Sequence, residues 1–572
     1  MINRLLTILL TLIFCSQVSR YFSQNNWTLN QTPTYEELIS AYKKLDEQHK
    51  EIELYAMGCS DTEFPIYVCI INGAGDSTET FDKCRQSSTI LINNAIHPGE
   101  PDGVNASLIW IEEWIKSGKK TKDLPCVAFI PAYNVGGMLR RGSFSRANQE
   151  GPEEYGFRGN TQNLDLNRDF IKMDSPNAKT FARIFHALDP DVFVDTHVSN
   201  GADYQYTLTY ISSMKERMAP PQANLVYEKL IPELTSRLKK KNWDLFPYVE
   251  LKEETPTSGL VAFNDLPRYA MGYAALFHSI AFTVETHMLK LFPERVRATK
   301  DFISNLVYWT GVNSKEVEKV RTESQNWSMN QAYFKYNYSQ TEKVDSILFK
   351  GYEETFPVSE VTGLKRLKYD RNKPYTRFIP WYKTYFPADS ALIPEFIYVL
   401  PSAKEVIENL RLNNISFSLS KVDSTLDLAT TKIVSFQSLN KPYEGHFYHK
   451  ELSTERAFKE MDLPKETLII PTRQKGAMFL LSTLIPEGED SYFRWNYFDS
   501  YLQQKEYFSP YVFEDKAAQL LKQDPELAKE FQKKRDLDDQ FRESQWDQLF
   551  FIYKHSPYYE QTDYHLPVYF SK

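Results

Sequence analysis

Four stretches in the first half of the chain are apolar at nearly every position rather than at every second one: STILINNAI (88–96), CVAFIPAYN (126–134), DVFVDTHVS (191–199) and IAFTVETH (280–287). A strand without alternation has no solvent face, so strands of this kind belong to parallel or mixed sheets covered by helices on both sides. The segments between them supply those helices. DGVNASLIWIEEWIKSG (102–118) carries Val104, Leu108, Ile111 and Ile115 on one face, with Asp102 placed to cap it. In SPNAKTFARIFHAL a serine, Ser175, precedes Pro176, which marks a helix start. The pattern predicts an α/β fold with a mixed, mostly parallel sheet between helices.

At 572 residues the chain exceeds one ordinary core. Its character changes after Val312, where short strand-like pieces rich in Tyr and Phe replace the buried runs. FIYVLPSAKEVIENLRLNNISFSL reads as strand, helix and strand, with Ser402 and Glu405 spaced as a capping box. A charged helical tract from 515 to 553 should break at Asp524-Pro525. We therefore expect an α/β domain over 20–312 and a C-terminal α+β domain over 313–572, whose role the sequence does not disclose.

Residues 1–19 have the layout of an export signal, with Arg4 followed by ten mostly apolar residues from Leu5 to Phe14, too few to span a bilayer. The expectation is a periplasmic or extracellular protein, or a lipoprotein anchored to the membrane through Cys15. No later run is long and apolar enough for a transmembrane span. A net charge of −8 with no basic block argues against nucleic acid as a partner. Beyond the signal stand Cys59, Cys69, Cys84 and Cys126. They read as free buried thiols, the alternative being up to two disulfides; none has the spacing of a cysteine zinc site.

The chemistry collects at strand ends. His97 follows the first run, His197 closes the third and Glu285 lies near the end of the fourth. In open α/β sheets the ligand crevice lies outside the carboxyl ends of the strands, where residues distant in sequence meet. His97 and Glu100 in HPGE, with His197, form a His2Glu set suited to one zinc ion per chain, leaving a coordination position open. Glu285 is then the candidate general base. Asn167 and Arg168, in NLDLNRDF, could fork onto a carboxylate beside the metal. His287, two residues past Glu285, faces the same side of its strand and is a candidate supporting contact.

On these residues the sequence resembles the zinc metallocarboxypeptidases of the carboxypeptidase A type. HPGE looks like that family's His-x-x-Glu ligand pair, DTHVSNGADYQ like the stretch with its third ligand, NLDLNRDF like its Asp-x-Asn-Arg stretch, and FTVETH like the strand with its catalytic Glu. They occur in the family's order over 88–291, about a third of the chain. The resemblance implies a carboxypeptidase-like fold and hydrolysis of the C-terminal bond of a peptide substrate. It also implies that Asn167 and Arg168 grip the terminal carboxylate, and that Arg146 polarises the carbonyl, with Arg141 and Arg158 as competitors. Tyr273, or else Tyr269, would be the family's mobile tyrosine. Where most members carry Asn-Pro-Asp-Gly, this chain reads NVGG (134–137), a departure that loosens the alignment of the arginines after it. The alternative on the same scaffold is a zinc-dependent deacylase or amidase, such as a cell-wall peptide hydrolase.

Overall fold

The computed structural model describes residues 30–118, 124–560 and 562–572; the expected export signal and Cys15 lie outside them. Eight strands form the main sheet: β1 (Ile52–Cys59), β2 (Pro65–Ile71), β3 (Thr89–Asn93), β4 (Cys126–Ile130), β5 (Val192–Ser199), β6 (Leu208–Ser212), β7 (Leu245–Pro247) and β8 (Ile280–His287). Their order is β1-β2-β4-β3-β5-β8-β6-β7. The central strands β4, β3, β5 and β8 are mutually parallel, while β1, β2 and β6 join antiparallel. This is the mixed, mostly parallel sheet the sequence predicts. Every residue of β3, β4 and β5 is buried, which is why those runs do not alternate.

Helix α1 (Asp102–Ser117) connects β3 to β4, and α2 (Pro176–Leu188) leads into β5 on the other side of β3. The chain thus changes direction across the sheet at β3, and the crevice opened between the ends of β3 and β5 is where a ligand belongs. Ser175 caps α2 as expected, accepting from the Ala178 amide with Pro176 in the first turn. Asp102 does not cap α1. It is buried and takes a two-pronged ion pair from Arg295, at 2.9 and 3.2 Å, on helix α4 (Phe292–Val312). Ser402 and Glu405 form no capping box either: the helix Lys404–Leu412 starts without a side-chain cap, and the Ser402 hydroxyl bonds Tyr501 instead.

Of the cysteines expected to be free, Cys84 and Cys126 are joined in a disulfide, while Cys59 and Cys69 are free. The parallel register sets Thr89 beside Cys126, which brings Cys84, just upstream of β3, to the start of β4.

Beyond Val312 the strands are longer than the sequence suggests. Two ribbons dominate, β9 (Asp345–Thr355) with β10 (Lys368–Tyr382) and β11 (Ser424–Ser438) with β12 (His449–Leu463). The helical tract breaks at Asp524 as expected, where the Asp524 carboxylate caps the helix Pro525–Leu537. One apolar core runs through both halves of the chain; Phe479, for example, stacks on Phe277 at 5.6 Å. No described helix is long and apolar enough to cross a membrane.

Candidate metal centre

The parallel register of β5 and β8 places His197 directly beside Glu285, and that of β3 and β5 places Asn93 beside Asp195. Asp195 and His197, two apart, share one face of the sheet with Glu285. His97 and Glu100 arrive on the loop between β3 and α1. Asn134 shapes that loop: its side-chain amide donates to the Ile96 and Arg158 carbonyls, while its oxygen accepts from the Gly137 amide. Thus NVGG forms the start of a short helix, Val135–Leu139, whose capping residue Asn134 supports the residue before His97. Gly99 lets the HPGE loop run close to its neighbours, since a Cβ there would stand 2.7 Å from the Arg146 side chain and 3.1 Å from the Gly156 carbonyl.

One donor atom from each of His97, Glu100 and His197 lies within 4.8 Å of the others, and all three residues are buried. His97 Nδ1 stands 3.5 Å from one Glu100 oxygen and His197 Nδ1 3.2 Å from the other. The far nitrogen of each ring is held by an aspartate, His97 Nε2 by Asp165 at 2.9 Å and His197 Nε2 by Asp195 at 2.7 Å. A carboxylate accepts the Nε2 proton and so leaves the Nδ1 lone pair facing inward, the arrangement of a metal-binding histidine. His97 Nδ1 is buried and has no hydrogen-bond partner. An orphaned imidazole nitrogen, a second one beside it and a carboxylate between them fit one metal ion.

The charges are arranged to suit a cation. Burial raises the Glu100 carboxyl, but Arg146, His97 and His197 outweigh it and hold the group well below its ordinary range. Burial lowers His197, yet Asp195 and Glu100 pull it well above the usual imidazole value, so positive charge is favoured here. Burial pushes Glu285 up to about 7, with Glu100 adding to the rise and His197 and Arg158 opposing it. Glu285 Oε2 has no hydrogen-bond partner.

Glu285 and the His97–Glu100–His197 set line a cavity of about 510 Å³ together with Arg146, Arg158, Asn167, Arg168, Tyr248 and Tyr269. Arg146 donates to Glu100 at 3.1 Å and is held by Gln149 at 2.7 Å. Arg158 forks onto Asp165 at 2.8 and 3.0 Å, reaches Glu100 at 3.4 Å, and is 46% exposed. Arg141 is engaged elsewhere, with the carbonyls of Thr32 and Pro33, and does not line the cavity. The Asn167 oxygen accepts from the Ala270 amide at 2.9 Å, capping α3 (Ala270–Leu276) and leaving its NH2 as the free end of the amide. Arg168 lies over the Tyr269 ring at 4.6 Å.

Two assignments from the sequence need correction. Tyr273 is not at the site: it is fully buried among Phe170, Phe181 and Phe185, and its hydroxyl donates to Asn413 at 2.6 Å. One helical turn separates it from Tyr269, which precedes α3 and faces the cavity. His287 supports no ligand; it stacks on Tyr204 at 4.1 Å, with both ring nitrogens unpartnered. Asp165, Asp195 and Asn134 were not singled out from the sequence. The first two stand in plain view in NLDLNRDF and VDTH, at spacings that a search for partners of the ligands would find.

No family model and no curated protein matches the chain. Among solved structures it is similar to a metallo-carboxypeptidase from Pseudomonas aeruginosa in complex with (2-guanidinoethylmercapto)succinic acid, at 15% identity and a TM-score of 0.36 over 50% of this chain and 69% of that one. Carboxypeptidase A from Helicoverpa armigera gives 15% and 0.36 over 52% and 75%. Bovine thrombin-activatable fibrinolysis inhibitor, in complex with tick carboxypeptidase inhibitor, gives 13% and 0.36 over 51% and 99%.

Proposed function

We propose that the chain is a zinc-dependent carboxypeptidase that removes the C-terminal residue of a peptide. The observation that carries this reading is the meeting, in one cavity, of the His97–Glu100–His197 set, the unpartnered Glu285 carboxylate and the Asn167–Arg168 pair. His97 and His197 through Nδ1, with the Glu100 carboxylate, would hold one zinc ion. Zinc supplies Lewis acidity, lowering the pKa of water and polarising a carbonyl. The remaining work falls to the protein. Glu285 accepts a proton at Oε2 and returns it to the leaving amine, a task that its raised affinity for protons suits near neutral pH. Arg168 and the Asn167 NH2 bind the free carboxylate of the substrate. Arg146, mostly shielded from water, places positive charge where the carbonyl oxygen becomes negative. Export to an oxidising compartment is part of the proposal, and the Cys84–Cys126 disulfide supports it.

The test is the substrate's own carboxylate. A charge-assisted contact contributes about 1.5–3 kcal/mol, so Arg168→Ala should lower kcat/KM on peptides with a free C-terminus by roughly one to two orders of magnitude. Amidating the C-terminus should do the same to the wild type, and the two together should cost little more than either alone. Equal cleavage of free and amidated peptides overturns the carboxypeptidase reading in favour of a deacylase, amidase or endopeptidase.

A further inference from the structure

The connection between β11 and β12 reaches back to the cavity. Its tip is the turn Tyr443-Glu444-Gly445-His446, closed by paired backbone hydrogen bonds between Tyr443 and His446 at 2.8 and 3.1 Å. All three side chains of the turn grip the segment that carries the carboxylate anchor. The Tyr443 hydroxyl accepts from Arg168 Nε at 3.1 Å, Glu444 Oε2 accepts from the Asp165 amide at 2.7 Å, and His446 Nε2 meets Asp174 at 2.8 Å. Glu444 has φ of 49° and Gly445 of 85°. A two-residue turn with both central residues at positive φ favours Asn-Gly or Gly-Gly, and a glutamate in the first position is strained. Strain kept in place by surrounding structure marks a position selected for something other than its backbone. Here the Glu444 carboxylate satisfies the Asp165 amide, next to the side chain that orients His97.

Arg168 is the chief beneficiary. Nη1 donates to its neighbour's carbonyl, that of Asn167, at 2.9 Å, Nε donates to Tyr443, and the guanidinium plane rests on Tyr269. Tyr443 is itself held, stacked at 6.0 Å on the fully buried Trp495. Without the hydroxyl, Nε loses its partner, and the Asn167 carbonyl, the Asp165 carboxylate at 3.8 Å and the Tyr269 ring hold the guanidinium less narrowly than four contacts do.

We propose that Tyr443 is a positioning residue for substrate recognition: the C-terminal half of the chain sets the orientation of the Arg168 fork through its hydroxyl, and so takes part in binding the peptide's terminal carboxylate. This rests on the carboxypeptidase reading of Arg168. The step is one of binding alone, with no bond made or broken.

The experiment compares the zinc-loaded wild type with Tyr443→Phe on an N-blocked dipeptide and its C-terminal amide. Loss of one hydrogen bond to a charged group should raise KM for the free acid roughly tenfold with kcat little changed. The amide should be cleaved as by the wild type, and the melting temperature should hold. In an Arg168→Ala background Tyr443→Phe should add nothing, since both act on one contact. If the wild type prefers the free acid but Tyr443→Phe leaves KM unaltered, or depresses kcat on acid and amide alike, the positioning role is wrong while the carboxypeptidase reading stands. If the wild type cleaves acid and amide equally, that reading falls and the role of Tyr443 with it.

Discussion

Asp195→Asn is the substitution that bears most directly on the candidate metal centre without touching one of its three proposed ligands. Asp195 has no exposed surface, and both its oxygens face donors: Oδ2 accepts from His197 Nε2 at 2.7 Å and Oδ1 from Asn93 Nδ2 at 3.0 Å. An asparagine offers one acceptor and one donor, so it cannot serve both. Either its NH2 confronts the Asn93 amide, or it meets His197 and drives that ring to the tautomer with the proton on Nδ1, the nitrogen meant for the metal. Removing a charge-assisted hydrogen bond of about 1.5–3 kcal/mol corresponds to roughly ten- to 150-fold weaker zinc binding. Loss of an orienting carboxylate behind a metal-binding histidine generally costs about ten- to a hundredfold, which agrees. Zinc affinity is measured by competition with a chromophoric chelator, and circular dichroism checks that the variant is folded. A folded Asp195→Asn protein whose zinc affinity stays within about twofold of the wild type would refute the assignment of His197 as an Nδ1 ligand oriented by Asp195.

Two other outcomes follow from buried titrating groups. Glu285→Gln should keep zinc yet lose at least about two orders of magnitude in kcat, and the rise of wild-type kcat/KM as pH climbs toward 7 should disappear with it, as pH-rate profiles of both proteins will show. His278 is buried against Ser328, and burial, with Arg321 and Lys475 adding to it, lowers its pKa from 6.5 to about 4. Its contribution to stability is therefore present above pH 6.5 and is lost as pH falls toward 4. Between pH 8 and pH 5 the wild type should lose up to about 2 kcal/mol more than His278→Asn, a residue that tolerates the local φ of 60°. Urea-denaturation curves at the two pH values decide it, and parallel losses would show that His278 is not held neutral.

His97 and His197 were legible as candidate ligands because each follows or ends an otherwise apolar run, a placement that packing alone does not explain, and Glu100 because it stands three residues from His97. Glu285 was legible for the same reason as the two histidines. What escaped depends on contacts between distant segments. Whether Tyr269 or Tyr273 faces the cavity turns on where α3 begins, and that is set by the Asn167 side chain from far upstream. The Cys84–Cys126 bond follows from the register of β3 on β4, which no spacing between cysteines encodes. Asp102 has the right type and position for a cap, but Arg295 on α4 claims its carboxylate instead. The turn at 443–446 shows in the sequence only as a glycine between polar residues, and its three grips become visible only when the chain has folded back onto residues 165–174.

The register of β5 against β8 has a consequence for how activity fails on heating. His197 and Glu285 are nearest neighbours across a central pair of strands, so the main-chain spacing between the proposed metal ligand and the proposed proton acceptor is set by the ladder's hydrogen bonds, and side-chain contacts set only the final orientation of each group. That main-chain spacing cannot drift while the ladder is intact. Mutations that loosen the surrounding core should therefore change how many molecules are competent, not how competent each molecule is. Assayed at one fixed temperature after heating, the turnover per surviving molecule should stay constant until the sheet itself comes apart.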